Sequence, residues 1–189
     1  MQGFEAPAVP SIHKDKCRID ELTAEFFRLF SPTPGATVSL QRIHDLFIPQ
    51  GIIVRTCGPN TEVFSISEFI KPRELLLNDG SLVDICEREE WETTEIFGNV
   101  AQRFLAYRKT GVLHGERFDT RGMNTIQFVR KDGDWKMSAL AWDDERNGVE
   151  IPARCHTQPE NSIAGVGFRL SYHDLPNLIV PPKLGGVPR

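Results

Sequence analysis

The first periodic segment of the chain predicts an amphipathic helix. Its apolar residues recur at intervals of three, four, three and one, which places them on one helical face: Ile19, Leu22, Phe26, Leu29 and Phe30. The helix is expected to end near Ser31, because the sequence SPTPG at that point holds two prolines and a glycine. Residues 1–15 show no periodicity, and we interpret them as a flexible N-terminal segment.

Segment 39–47 has apolar residues on one side and predicts a second, short helix. Ser39 is its predicted N-cap, and Pro49 is expected to end it. The β-branched segment 51–56, GIIVRT, then predicts a short strand, and the sequence CGPNT after it predicts a turn.

A third helix is predicted to begin at Ser65, because Ser65 and Glu68 have the spacing of a capping box. Pro72 is expected to interrupt or kink this helix, since proline lacks the backbone N–H that a helix interior uses. Gly80 is the predicted residue just after the helix, where a left-handed conformation favours glycine.

Four long segments without proline follow, and each predicts a strand: 81–98, 99–111, 121–133 and 134–145. Asp132 and Gly133, between the last two, predict a tight hairpin. Helices followed by strands indicate an α+β fold with an antiparallel sheet, which must curve to enclose the helices. Gly98 and Gly122 are candidate positions for its bulges or bends.

The chain therefore divides into three predicted parts. Residues 1–15 are the flexible segment, and residues 16–148 form the single folded domain. Residues 149–189 are rich in proline and poor in periodic apolar positions, and we interpret them as a C-terminal tail that is extended or docked.

Composition narrows the class of protein. The chain has 189 residues, of which 40% are hydrophobic and 25% charged, as in an ordinary globular domain. Its net charge of -4 argues against binding nucleic acid or an anionic membrane. We find no apolar run long enough for a membrane span and no signal peptide, so we expect a cytoplasmic protein.

The cysteines support the same interpretation. Cys17, Cys57, Cys86 and Cys155 are widely spaced and form no CxxC pair, so we expect reduced, mostly buried thiols. No metal-binding motif, phosphate loop or nucleophile motif occurs, and we expect no metal and no cofactor.

Two parts of the sequence resemble a known superfamily. The segment IHDLFIPQGIIVRTCG resembles the helix-to-strand segment of nuclear-transport-factor-2-like (NTF2-like) proteins, which include ketosteroid isomerases and SnoaL-type polyketide cyclases. The segments EIFGNVAQRFLAYRKTG and TIQFVRKDGDWKMSALAWDDER resemble the strands of its uncharacterised bacterial members. The resemblance implies a cone-shaped sheet around N-terminal helices, with a small-molecule pocket between them, and a homodimer packed through the outer sheet faces. It implies no particular reaction.

The catalytic residues of the ketosteroid isomerases have no equivalents here. The resemblance places Phe26 where those enzymes have a tyrosine, Arg55 at their general base and Ile126 at their second oxyanion donor. Phenylalanine and isoleucine cannot transfer protons, and arginine is effectively always charged. The isomerase route is therefore excluded, and the catalytic residues, if any, are unknown.

The resemblance also directs alternate strand residues into the cone. They are Ala101, Arg103, Leu105 and Tyr107, then Asn124, Ile126 and Phe128, then Met137, Ala139, Ala141 and Asp143. Five polar residues are thereby the candidate ligand-binding set of an otherwise apolar cavity: Arg55, Arg103, Tyr107, Asn124 and Asp143. The opposite face of the sheet would carry Val129, Leu140 and Trp142, a patch that supports the homodimer.

Each candidate has a structural alternative. The arginines could clamp an anionic or carbonyl ligand, or one of them could pair with Asp143, Glu89 or Glu90 inside the protein. The Tyr107 hydroxyl could donate to a ligand or to a neighbouring side chain. His44 and Asp45 are adjacent, and a solvated helix face explains them better than a catalytic pair does.

Three functions remain open. The first is a small-molecule-binding protein, including a SnoaL-like lyase, isomerase or cyclase. The second is a non-catalytic dimeric interaction or structural module. The third is a stress or detoxification protein with an unselective pocket.

Overall fold

The computed structural model describes residues 12–31, 37–146 and 148–156. The helices are α1 (Ile12–Leu29), α2 (Ile43–Leu46) and α3 (Ile66–Asn78). The strands are β1 (Phe47–Arg55), β2 (Glu62–Ser65), β3 (Leu82–Phe97), β4 (Val100–Leu113), β5 (Glu116–Lys131) and β6 (Asp134–Asp144). Helix α1 already includes residues 12–15, which were predicted to belong to the flexible segment; the rest of that segment lies outside the described residues.

The strands form one six-stranded sheet in the order β2-β1-β6-β5-β4-β3. Every pairing is antiparallel except that between β1 and β6, which is parallel. The α+β class is confirmed, and the one parallel pair corrects the expectation of a wholly antiparallel sheet. This parallel pair forms within the sheet, where the last strand, β6, lies between β5 and β1.

The segment around the second helix differs from its prediction. Helix α2 has only four residues, and its N-cap is Arg42 rather than Ser39. Strand β1 begins at Phe47 and contains Pro49. The β1–β6 register shifts between Phe47 and Ile52, and proline is tolerated at such an irregularity because its missing N–H costs no ladder bond there. Strand β2 was not predicted.

Helix α3 follows its sequence signals closely. The Ser65 hydroxyl accepts from the Glu68 backbone N–H, and the Glu68 carboxylate accepts from the Ser65 N–H, so the capping box is confirmed. The helix is continuous through Pro72, so the predicted interruption is absent. Gly80 follows the C-cap with a φ of +80°, as expected for the residue after a helix.

The predicted hairpin between β5 and β6 is confirmed. Asp132 and Gly133 both have positive φ, of 52° and 83°, which is the conformation of a two-residue hairpin turn that matches strand twist. Gly98 lies in the β3–β4 turn rather than at a bulge. Gly122 pairs regularly with Tyr107 on one side and Asp144 on the other, so it is not a bulge either.

A bulge on β6 reverses the predicted inner face of that strand. Gln127 pairs with Ala139 and Phe128 with Met137, which leaves Ser138 as an extra residue. Met137 faces inward as predicted, but beyond the bulge the buried residues are Leu140 and Trp142. The predicted inward positions of Ala139, Ala141 and Asp143 are therefore wrong. Leu140 and Trp142 are no longer available for an outer dimer patch.

The interior is filled by aromatic side chains between α1, α3 and the inner face of the sheet. Phe26 packs against the rings of Phe30, Phe47 and Phe69, and Phe69 in turn packs edge-on against Trp142. Such pairs add to the free energy of burial through their ring geometry. This cluster fixes α1 across the sheet and sets the position of the polar groups beside it.

The first residues of the predicted tail pack on the outer face of the sheet. Ile151 and Cys155 are buried there against Ala106 of β4. A single 3₁₀ turn, Ala153–Cys155, follows. Residues 157–189 of the predicted tail lie outside the described residues. Within the described ranges, no helix has the length and apolar character that a membrane crossing requires.

The cysteines are free, as predicted, but they are not mostly buried. Cys155 is buried and Cys57 half-buried, whereas Cys17 and Cys86 are exposed. The Cys17 thiol lies 3.9 Å from His13 Nε2.

Candidate functional site

A cleft of about 590 Å³ lies between α1 and the inner face of β3 and β4. This volume is within the usual range for small-molecule sites. One wall is α1, with Thr23, Ala24 and Phe27 facing the cleft. Its charged lining comprises four basic and four acidic side chains: Lys16, Arg28, Arg88 and Arg103, with Asp20, Glu87, Glu89 and Glu92.

Arg103 forms the floor of the cleft, and the protein itself accepts most of its hydrogen bonds. Only 4% of the residue is exposed. Its Nε and Nη2 donate to the Glu89 carboxylate at 2.9 and 2.8 Å, and its Nη1 donates to Asp20 at 2.7 Å and to Thr94 at 3.1 Å. The bidentate pair with Glu89 is one of the alternatives raised for this arginine. Four of the five N–H donors of Arg103 are therefore used within the protein.

The remaining basic side chains of the lining also have acidic partners. They pair as follows: Lys16 with Asp20 and Glu92, Arg28 with Glu25, and Arg88 with Glu90. Among the acids of the lining, Lys16 holds Asp20 and Glu92, and Arg103 holds Glu89, so most charges of the cleft have a partner.

Glu87 is the exception. It is half-buried, and its carboxylate forms no hydrogen bond or ion pair with any residue in the described part of the chain. Burial raises the pKa of Glu87 above its usual value, although the nearby charges of Lys109 and Arg73 oppose the shift. The backbone N–H of Glu87 donates to the Ser31 hydroxyl at 3.4 Å, which connects β3 to the end of α1.

Behind Glu87 lies a second polar group, centred on Asp144. Lys109 Nζ donates to the Asp144 carboxylate at 2.9 Å, and the Tyr107 hydroxyl donates to the same oxygen. Burial opposes the charge of Asp144, but Lys109, Tyr107 and Cys57 outweigh it, so the pKa of Asp144 lies below its usual value. Burial and the Asp144 charge raise the pKa of Tyr107 well above its usual value. The Tyr107 hydroxyl thus satisfies a neighbour and is not free to donate to a ligand.

Two arginines complete the buried polar set. Arg55 lies 3.2 Å from the Glu62 carboxylate across the β1–β2 pair. Arg73 stacks on the Phe69 ring at 3.6 Å and donates from Nη1 to the Phe69 carbonyl at 2.7 Å. Arg73 Nη2 is buried and has no hydrogen-bond partner among the described residues. Burial lowers the pKa of Arg73 to about 9, which leaves it charged at neutral pH.

The five predicted ligand-binding residues do not form one site. Arg103 lies at the cleft floor, while Tyr107 lies in the Asp144 group and Arg55 pairs with Glu62. Asn124 is buried in the sheet between Leu105 and Trp142, as its inward alternation predicted. Asp143 is partly exposed and pairs with Arg146, because the Ser138 bulge turns it away from the interior.

No protein-family model and no curated protein matches the chain, but many solved structures do. An NTF2-like superfamily protein from Salmonella enterica serovar Typhimurium aligns over 72% of this chain and 94% of its own, with a TM-score of 0.59 and 13% identity. An NTF2-like protein with a cystatin-like fold from Novosphingobium aromaticivorans aligns over 70% and 82%, with a TM-score of 0.53 and 18% identity. This chain has the NTF2-like fold.

A third structural neighbour, from Exiguobacterium sibiricum, is described as a putative Ca/calmodulin-dependent kinase II association domain. It aligns over 73% of this chain and 97% of its own, with a TM-score of 0.56 and 12% identity. At these identities the neighbours establish the shape of the NTF2-like cone. They do not establish which residues within it act.

The sequence analysis missed two charged residues inside the curved sheet, Glu87 and Arg73, which lack partners for part or all of their polar atoms among the described residues. Glu87 lies in the charge-rich run CEREEWE, where nothing in the pattern distinguishes it from the paired acids beside it. Arg73 follows Pro72 in a helix whose buried face is otherwise apolar. No group of three metal-ligating side chains occurs among the described residues.

Proposed function

We propose that this NTF2-like protein binds a small molecule in the cleft between α1 and strands β3 and β4. The observation that carries the proposal is a cavity of about 590 Å³ that combines apolar side chains of α1 with an acid that has no hydrogen-bond or ion-pair partner among the described residues. Ligand sites characteristically join apolar walls to a few polar groups that fix orientation.

A SnoaL-like lyase, isomerase or cyclase reaction is the finer form of this proposal. It would need a proton-transfer group in the cleft, and Glu87 is the described lining residue with a raised pKa and no partner. The four free thiols support a reducing, cytoplasmic setting for such a protein.

Ala24→Trp tests the location of the site. Ala24 is exposed on the cleft wall of α1, so an indole there fills the cleft without entering the core. We expect ligands found in a fragment screen by protein-observed NMR to lose binding in Ala24→Trp. The control is Ala153→Trp, an exposed alanine in the 3₁₀ turn outside the cleft, which should bind as the wild type does. Fragments that bind both variants equally would show that the cleft is not the site.

The second candidate function is association between copies of the chain. The outer face at the β1–β2 edge carries Val54 and Val63, which are cross-strand partners, with Ile52 beside them. Ile52 and Val63 are 41% and 62% exposed. An apolar patch on a sheet face favours an interface, and the neighbour described as an association domain points the same way.

Val63→Glu tests this association. We expect wild-type light scattering to give about twice the 21.4 kDa chain mass, and Val63→Glu to give the mass of one chain, because a charge in a buried patch is costly. Leu75→Glu is the control, since Leu75 is equally exposed, at 64%, but lies on α3. A wild-type protein with the mass of one chain would contradict the homodimer.

A further inference from the structure

We propose that Glu87 is the ligand-contacting residue of the cleft and that the ligand is a small amine bearing a hydrophobic group. This inference rests on the proposed function, because it assumes that the cleft between α1 and β3 binds a small molecule. It adds the chemical class of the ligand and the residue that recognises its charge.

The pairing of charges around the cleft singles out Glu87. The four basic lining residues each lie within 4 Å of an acid, and the three other acidic lining residues are each held by Lys16 or Arg103. A ligand that competes for one of these pairs would have to break an existing interaction. A ligand that approaches Glu87 gains an interaction without that cost.

The chemistry of Glu87 selects a cation. A carboxylate without a partner is destabilised by burial, and a hydrogen-bonded ammonium group removes that penalty. Anionic ligands have no equivalent buried anchor here, because Arg103, one of the two arginines that could have clamped an anion, donates to Glu89, Asp20 and Thr94, and the other lining arginines are exposed. The earlier expectation of an anionic ligand therefore loses its main support.

Two cations near Glu87 could compete with a ligand for its carboxylate. Lys109 is the cross-strand partner of Glu87, and Arg73 interacts with it through space. Lys109 already donates to Asp144 at 2.9 Å, and Arg73 is stacked on Phe69. Neither cation forms a hydrogen bond or ion pair with the Glu87 carboxylate among the described residues, so Glu87 remains the lining acid that a ligand can reach without displacing a partner.

The apolar wall accounts for the rest of the ligand. Ala24 and Phe27 lie on the α1 side of the cleft, as does Thr23, whose hydroxyl donates to the Ile19 carbonyl at 2.9 Å. Because its hydroxyl is hydrogen-bonded within α1, Thr23 presents mainly its methyl group to the cleft. An aromatic or branched aliphatic group attached to the ammonium would cover this wall.

Three probes that share one ring test the proposal on the full chain: benzylamine, benzyl alcohol and benzoate. We expect benzylamine to bind the wild type at least about tenfold more tightly than either of the others, as measured by NMR titration, since only the ammonium forms a charge-assisted hydrogen bond with Glu87. Glu87→Gln should lose about tenfold or more in benzylamine affinity. It should keep the wild-type melting temperature or exceed it, because no partner is stranded.

Glu95→Gln is the matched control. Glu95 lies on the same strand, is exposed and lies outside the cleft, so its replacement should leave benzylamine binding unchanged. Equal benzylamine affinity in wild type and Glu87→Gln, or benzoate binding more tightly than benzylamine, would overturn the proposal. If the fragments that bind are neutral or anionic and Ala24→Trp abolishes their binding, the cleft is still the binding site. Only the role of Glu87 is then refuted. A cleft that binds no fragment at all would refute both.

Discussion

Arg103→Met is expected to lower the free energy of unfolding by about 3 kcal/mol at neutral pH, as measured by urea denaturation. Methionine keeps much of the side-chain volume but removes every donor that Glu89 and Asp20 use at the floor of the cleft. Two carboxylates then remain close together without their shared cation. The estimate is at the lower end for a broken buried pair because the Asp20 side chain is 42% exposed.

The effect of Arg103→Met should shrink in acid. Burial opposes the charges of Asp20 and Glu92, but Lys16 and Arg103 outweigh it for Asp20, and the Thr94 hydroxyl together with these cations outweighs it for Glu92, so the pKa of each lies below its ordinary value. Acids with lowered pKa values stabilise the fold above their unfolded pKa and lose that contribution as the pH falls through the folded pKa. The difference in unfolding free energy between wild type and Arg103→Met should therefore be largest at pH 7 and smaller near pH 3.

The control for Arg103→Met is Arg108→Met on the same strand. Arg108 also donates from two nitrogens to one carboxylate, that of Asp119, but both side chains are exposed, at 38% and 49%. Exposed pairs are worth about 0–1 kcal/mol, so Arg108→Met should be nearly neutral. Similar losses for the two substitutions would mean that burial is not what makes the Arg103 network important.

Gly122→Ala is expected to cost about 3 kcal/mol in unfolding free energy, again by urea denaturation. A Cβ at this position would lie 2.3 Å from the Asp143 carbonyl oxygen and 2.3 Å from the Tyr107 hydroxyl. The carbonyl belongs to the backbone of β6, so it can move only if the strand pairing moves. Gly122 was expected to mark a bend; its actual role is to leave room for the Tyr107 ring beside the Asp144 group.

Gly111→Ala is the comparison for Gly122→Ala. Its Cβ would also be too close to a neighbour, but that neighbour is the far end of the Phe118 ring, at 2.8 Å. A side chain can rotate away at modest cost, so the loss should be clearly smaller than for Gly122→Ala. An equal or larger loss for Gly111→Ala would contradict this account of the Gly122 site.

The sequence by itself determined the elements whose signals are local. The apolar repeat from Ile19 to Phe30 specifies one face of α1, and Ser65 with Glu68 specifies the start of α3 because the capping bonds join residues three apart. Asp132 and Gly133 specify the β5–β6 hairpin because only a few residue types adopt positive φ readily. Alternation placed Arg103 and Tyr107 on one face of β4, and the family resemblance indicated that this face points inward.

Only the tertiary structure decided the features that depend on distant parts of the chain. The parallel pairing of β1 with β6 joins segments about 85 residues apart, and no local pattern encodes it. A single extra residue, Ser138, turned Asp143 outward and Trp142 inward, because side-chain direction alternates with every residue. The partners of Arg103 come from α1 and β3, and the lack of a partner for Glu87 among the described residues is likewise a result of where those elements pack. Charge pairing is a property of distances in space, which is why the candidate site emerged from the fold.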